Sequence, residues 1–344
     1  MSNGISIRSR PNGWNSKNNR KMKKIFSFAA VAATVLTLGA VASAQTLERV
    51  NEYAELTGVN VMDGPFDVTL VHADKYSVKL VTDAVISEFV TTTLQDKTVY
   101  ISYDSKNVPK EVKKLYKGRK NPDPVLQVII YAPEIQELTL ADKCTFSASE
   151  QVIASRFDLN LAENASVKSL RLKADNVGLS LKKKSSAVLD LVVPGSLTIS
   201  TEGSSNVRTS GVYGSVSVMS AGSSTVGVEG DCEELNVKSE GSSQVNVNTK
   251  TGKAYLEVGN SSKTGLSGSA SELAITGRNN ATADVRNLDI DAVTVTLNNA
   301  TAHMGAKKQL TLELTGGASV YYEGEPQFLI KKIVKSTLAP AGTK

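Results

Sequence analysis

A five-residue string recurs along this chain at a fixed spacing. KSSAV begins at Lys184, GSSNV at Gly203, GSSTV at Gly222, GSSQV at Gly241, NSSKT at Asn260, and NNATA at both Asn279 and Asn298, each 19 residues after the last. Looser copies at Asp142, Glu163 and Gly316 bring the readable coils to ten, with steps of 18 and 21 at the ends. A fixed period of this length marks a repeat architecture in which each unit covers the core of the next. Apolar positions keep the same spacing. One column reads Val188, Val207, Val226, Val245, then the smaller Thr264, Ala283 and Ala302; a second reads Ile199, Val218, Val237, Leu256, Ile275; a third reads Leu197, Val216, Leu235.

Within each coil apolar and polar residues alternate, as in Ser215-Val216-Ser217-Val218, so the local state is strand. Period two nested in period 19 predicts an all-β fold, a right-handed parallel β-helix whose coils stack at the inter-strand distance of ~4.8 Å. A leucine-rich repeat needs a leucine signature that is missing, a membrane barrel needs aromatic girdles, and a β-sandwich does not demand such strict spacing. The small residues that open each repeat fall at a turn. There Ser204, Ser223, Ser242, Ser261, Asn280 and Asn299 are expected to stack as a structural polar ladder.

The expected organisation is a leader over 1–44, an N-terminal β cap over 45–135, coils over 136–325 and a C-terminal cap or tail over 326–344. In the leader, Lys21, Lys23 and Lys24 precede an apolar run from Ile25 to Leu38 that ends in Ala42-Ser43-Ala44, the three parts of a secretory signal peptide. Its natural start is Met22, and the run is too short for the ~20 apolar residues of a transmembrane anchor. The leader holds seven Lys or Arg and no acid, so the remainder carries 32 basic against 34 acidic residues. The basic pI therefore belongs to the leader and gives no support for nucleic-acid binding.

The cap carries a basic insert over 106–120 around a short helix ended by Gly118 and Pro122. Lys113, Lys114, Lys117, Arg119 and Lys120 are its candidate contacts for anionic glycans or lipid head groups. The stretch from Phe328-Leu329-Ile330 to Leu338 is expected to close the other end, since an open solenoid end exposes core and strand edges. End-to-end stacking, as in bactofilin-like polymers, would require that closure to be absent.

Chemistry is sparse. His72 and His303 lie far apart in the repeat map, and the coil acids fall at several phases of the period; Asp231-Cys232-Glu233-Glu234 is the densest cluster. No HExxH, CxxC pair, P-loop or GxSxG occurs, and the serines have no evident His/Asp partner. No catalytic residue, cofactor or metal is expected. Cys144 and Cys232 fall four coils apart, roughly 19 Å at the strand spacing, against a limit of ~7 Å for a disulfide. Two free, buried thiols are expected.

Several parts resemble a known family: Gly64-Pro65-Phe66-Asp67-Val68 with strands on either side, the lead Pro133-Glu134-Ile135-Gln136-Glu137-Leu138, the repeated Ser/Asn turns, and the closing Val320-Tyr321-Tyr322-Glu323-Gly324-Glu325-Pro326. They are similar to the family described as "putative autotransporter adhesin, head GIN domain", over nearly all of residues 50–330. The resemblance implies secretion, a β-helix and adhesion in Bacteroidetes-type bacteria, and it supplies no catalytic residues. An autotransporter plan would add a translocating membrane barrel, a pattern that the residues to Lys344 do not show. The expected protein is thus exported to the periplasm or outer surface of a Gram-negative bacterium, a non-catalytic adhesin-like binding or scaffold module. Its expected partners are envelope or host glycans or surface proteins, with no transmembrane span once the leader is removed. The alternative is a glycan-degrading enzyme of the polysaccharide lyase type on the same helix.

Overall fold

A computed structural model describes residues 45–117 and 123–342; the leader, Gly118, Arg119, Lys120 and Pro122 lie outside them. The chain forms a β-solenoid of about 11 turns with coils of ~19 residues, and parallel pairing between successive coils holds it together.

The stack starts earlier than the short repeat, and out of chain order. β1 (Thr46–Tyr53) leads into β2 (Gly58–Met62) and β3 (Asp67–His72), which form one coil. β4 (Tyr76–Asp83) then turns back, and a 3₁₀ turn leads to β5 (Val90–Gln95), β6 (Thr98–Tyr103) and, after the insert, β7 (Leu126–Ala132). β6 and β7 lie parallel to β2 and β3 on the outer side. The chain then crosses back, so that β8 (Glu137–Leu140) and β9 (Thr145–Ala148) pair with the other edges of β2 and β3. The region expected to be a cap therefore contains two true coils. What caps them is antiparallel: β5 on β6, β4 on β7 and β1 on β4.

Thereafter the coils follow the sequence. β10 (Val152–Leu161), β11 (Ser166–Lys182), β12 (Ser186–Glu202) and β13 (Asn206–Ser220) stack in turn. β14 (Thr225–Asp231) and β15 (Glu234–Ser239) both lie on β13, followed by β16 (Gln244–Val258) and β17 (Lys263–Arg278). On β17 sit β18 (Thr282–Val285), β19 (Leu288–Asp289) and β20 (Ala292–Asn298), then β21 (Thr301–Gly305), β22 (Gln309–Thr315) and β23 (Ser319–Glu323). β24 (Gln327–Ile333) and β25 (Thr337–Pro340) pair parallel with β22 and β23. The segment expected to close this end is one more coil.

Inward columns follow the repeat with one correction. Val207, Val226, Val245, Thr264, Ala283 and Ala302 are mutual neighbours and buried. Val188 is not in that column: Ala187 faces Val207, and Val188 points outward at 47% exposure. The step there is 20 residues, and the register shift between Val193 and Ser196, at Pro194-Gly195, restores 19 for Leu197 and Ile199.

The turn beside these columns is held by a second buried column of small residues: Cys144, Ala165, Ser185, Ser205, Ser224, Ser243, Ser262, Ala281, Ala300 and Ala318. Each carbonyl accepts the N–H of the residue that follows the next member, as from Ser186 to Ala165, Asn206 to Ser185 and Thr225 to Ser205. Four of the serine hydroxyls donate to turn carbonyls, Ser185 to Leu161 and Lys182, Ser205 to Glu202, Ser243 to Ser220 and Ser262 to Ser239, whereas the buried Ser224 hydroxyl has no partner among the described residues. A small side chain is required because the turn brings the backbone close, and at Ser185, Ser205, Ser243 and Ser262 the hydroxyl is tolerated because it is bonded. Cys144 plays the same part, its thiol donating to the Gly64 carbonyl at 3.1 Å. Both cysteines are free and buried, as the register predicts.

Two predictions follow from these columns. Gly211 and Gly230 are neighbours with φ of 150° and 132°, and a Cβ on Gly230 would run into the Gly211 carbonyl. Gly230→Ala is expected to cost about 2–4 kcal/mol in chemical denaturation. Burial pushes the Cys144 thiol up to about 11 from an ordinary 9.0. Its folded pKa is raised, so the folded state keeps a proton that the unfolded chain loses, and stability falls as pH rises between these values. Cys144→Ser should fold normally and flatten that fall in denaturation midpoints measured across the alkaline range.

Candidate functional site

The basic insert sits at one corner of the outermost coil. Its helix α1 (Lys110–Leu115) is short, and the insert is anchored by buried Val108 and by Tyr116, whose hydroxyl donates to Asp83 Oδ2 at 2.8 Å. Desolvation and that bond push the Tyr116 phenol up. Lys113 Nζ donates to the Lys106 carbonyl at 3.0 Å, and Lys114 and Lys117 are exposed; Arg119 and Lys120 lie outside the described residues.

Ser204, Ser223, Ser242, Ser261, Asn280 and Asn299 are exposed, one per coil at the same turn. Inter-coil bonds there run through backbone groups, from Ser223 N–H to Gly203, Ser242 N–H to Gly222 and Asn280 N–H to Asn299. Side-chain bonds at this turn come instead from the buried Ser205, Ser243 and Ser262 one position later, and from Asn279 Nδ2, which donates to Asn260 Oδ1 at 3.3 Å.

A different surface has the chemistry of a binding face. The outward residue that follows the inward Val207 column reads, coil by coil, Arg208, Gly227, Asn246, Gly265, Asp284, His303 and Tyr321. Strand pleating puts all of them on one face, ~4.8 Å apart. Beside them runs Ser210, Glu229, Asn248 and Ser267, with Arg286 at the next coil's position. Asp284 accepts from Arg286 Nε at 2.9 Å and Nη2 at 2.6 Å. Those bonds hold the Asp284 carboxyl below the usual carboxylate range, and His303 adds in the same direction. The His303 and Tyr321 rings stack with centroids 5.1 Å apart.

The two glycines shape this strip. Gly227 lets the Arg208 side chain lie along it, and Gly265 leaves a gap between Asn246 and Asp284. That gap is a shallow cleft of about 360 Å³, lined by Gln244, Asn246, Lys263, Ser267, Thr282, Asp284 and Asn287. Amides, hydroxyls and both charge signs on a rigid floor can hydrogen-bond a hydroxyl-rich ligand. Sequence reasoning missed this strip because it sought recurrence, whereas these columns change chemistry at nearly every coil. Residue variation at a fixed outward phase was the available signal.

Elsewhere the candidates stay apart. His72 lies nine strand steps from His303, about 43 Å at the strand spacing. It borders a cleft of about 290 Å³ with Glu134, Glu150 and Ile153, where Glu134 Oε1 is bonded by Ser155. In the acidic cluster, Asp231 accepts the Lys250 N–H and Cys232 is buried against Thr249 and Thr251. Among the described residues no group of His, Cys, Asp and Glu is arranged to hold a metal, and no helix is long and apolar enough to cross a membrane.

The solved structures that this chain is similar to include three from Parabacteroides. They are a "putative adhesin" from Parabacteroides merdae ATCC 43184 (15% identity, 86% of this chain and 96% of that chain covered, TM-score 0.34), a "putative adhesin" from Parabacteroides distasonis ATCC 8503 (16%, 86% and 97%, 0.35), and a "Putative lipid binding protein" from the same strain (12%, 86% and 96%, 0.35). No curated protein matches. The family described as "Putative auto-transporter adhesin, head GIN domain" matches residues 55–230 and 198–326, which together span most of the chain. The chain belongs to the auto-transporter adhesin head GIN domain family.

Proposed function

We propose that this chain is an exported, non-catalytic cell-envelope protein that works as an adhesin-like binding module. The observation that carries the reading is the strip Arg208, Asn246, Asp284, His303 and Tyr321, where a stack of regular coils presents varied polar and aromatic groups along one face. Coil stacking preorganises that face, so a ligand spanning several coils binds without ordering the protein first. Glycans of the envelope or of a host, or the surface of another protein, suit its hydroxyls, amides and paired charges. The leader Lys21–Ala44 supports export, and the family's adhesin description supports surface contact.

The test is a glycan array and envelope-fraction binding screen with the full chain and two variants. Asp284→Ala/His303→Ala/Tyr321→Ala changes outward residues, so its stability should move by less than about 1 kcal/mol while binding falls about tenfold or more. Neutralising Lys113, Lys114, Lys117, Arg119 and Lys120 should leave binding unchanged. Salt-sensitive binding lost only in the neutralised variant would move the site to the insert, and shortening of any bound polysaccharide would overturn the non-catalytic reading.

A further inference from the structure

The two ends of the stack are finished differently. At the N-terminal end antiparallel strands cover the outer coil, Ile86 is fully buried, and Arg49 Nη2 spans the opening to donate to the Ser87 and Val90 carbonyls at 3.0 and 2.8 Å. At the C-terminal end β24 and β25 each pair on one edge only. Phe328 and Ile330 continue the inward column of Leu310 and Leu312, yet they are 40% and 53% exposed, and Leu329 and Val334 beside them are 49% and 46% exposed. The Tyr322 ring meets Phe328 edge-on at 5.0 Å, and among the described residues no strand pairs with the outer edge of β24. An edge of free backbone groups beside uncovered apolar side chains is completed by another strand.

The charges around β24 indicate which strand. Glu323 and Glu325 precede its first residue, whereas Lys331 and Lys332 lie in its last half and Lys335 in the turn after it, all exposed. None of the three lysines has a carboxylate within ion-pair distance among the described residues. The edge is therefore acidic at one end and basic at the other.

We propose that this end is the interface of a two-fold, tail-to-tail dimer of the chain. A two-fold axis through β24 runs the strand antiparallel to its copy, extends the sheet across both molecules and buries Phe328 and Ile330 against their counterparts. The same operation lays each basic corner over the partner's acidic corner, the self-complementarity that an isologous contact requires. Stacking head to tail would set the apolar column on the Arg49 lid, so the association closes at two copies.

Sedimentation velocity of the full chain over a concentration series tests this. The expected species is a dimer that dissociates on dilution. Lys331→Glu/Lys332→Glu should weaken it about tenfold or more, and adding Glu323→Lys/Glu325→Lys should restore it, which loss of fold would not do. A monomer up to ~100 μM, growth beyond two copies, failure of the charge swap to restore association, or a monomer that binds phosphatidylglycerol vesicles through this end would each overturn the proposal.

Discussion

Backbone hydrogen bonds in this protein run along the stack axis, from one coil to the next, and the other features of the structure depend on that direction. A β-strand satisfies its N–H and C=O groups only through neighbours. Each coil therefore needs a partner at the same phase above and below, which holds coil lengths close to 19 residues and keeps the inward column small and mostly apolar, with departures absorbed at irregularities such as Pro194-Gly195. The carbonyl chain through Cys144, Ala165, Ser185, Ser205 and onward to Ala318 shows the constraint most plainly. Any side chain larger than Ser, Cys or Ala would push the turn out of the ladder.

That constraint divides the molecule into a repetitive interior and a free exterior. Inward columns repeat because every coil must cover the next. Outward side chains touch mainly solvent, and they are free to differ as long as the pleat is kept. Recurrence stops along the strip from Arg208 to Tyr321, the face proposed to bind. The glycines at 227 and 265 do not serve a turn; they open space between the larger groups on either side.

How much was legible in the sequence follows the same division. The columns through Val207 and Ile199 could be read because strict spacing reports inter-coil contact directly. Val188 lies one residue off the column that the spacing predicts, because the Pro194-Gly195 irregularity absorbs an extra residue. The coils of β2–β3 and β6–β7 were hidden because the chain adds them out of order, with an antiparallel strand and an insert between them. At the other end, Phe328-Leu329-Ile330 to Leu338 reads as a closure by its apolar residues, yet it pairs as one more coil, because a strand that covers a coil and a strand that continues the stack have the same composition. The strip was illegible for the opposite reason, since its residues share a phase and little else.

Cysteine cross-linking tests the stacking order of the first coils directly. In a background with Cys144 and Cys232 replaced by Ser, two pairs are compared: Thr69→Cys/Ser147→Cys and Ile129→Cys/Ser147→Cys. Thr69 Oγ1 and Ser147 Oγ lie 3.4 Å apart on adjacent strands, whereas Ile129 pairs with Thr69 from the far side, two strand spacings or about 9.6 Å from Ser147 and beyond the ~7 Å reach of a disulfide. The account predicts that oxidation links the first pair and leaves the second reduced. The reverse result would mean that the coils stack in chain order and would contradict it.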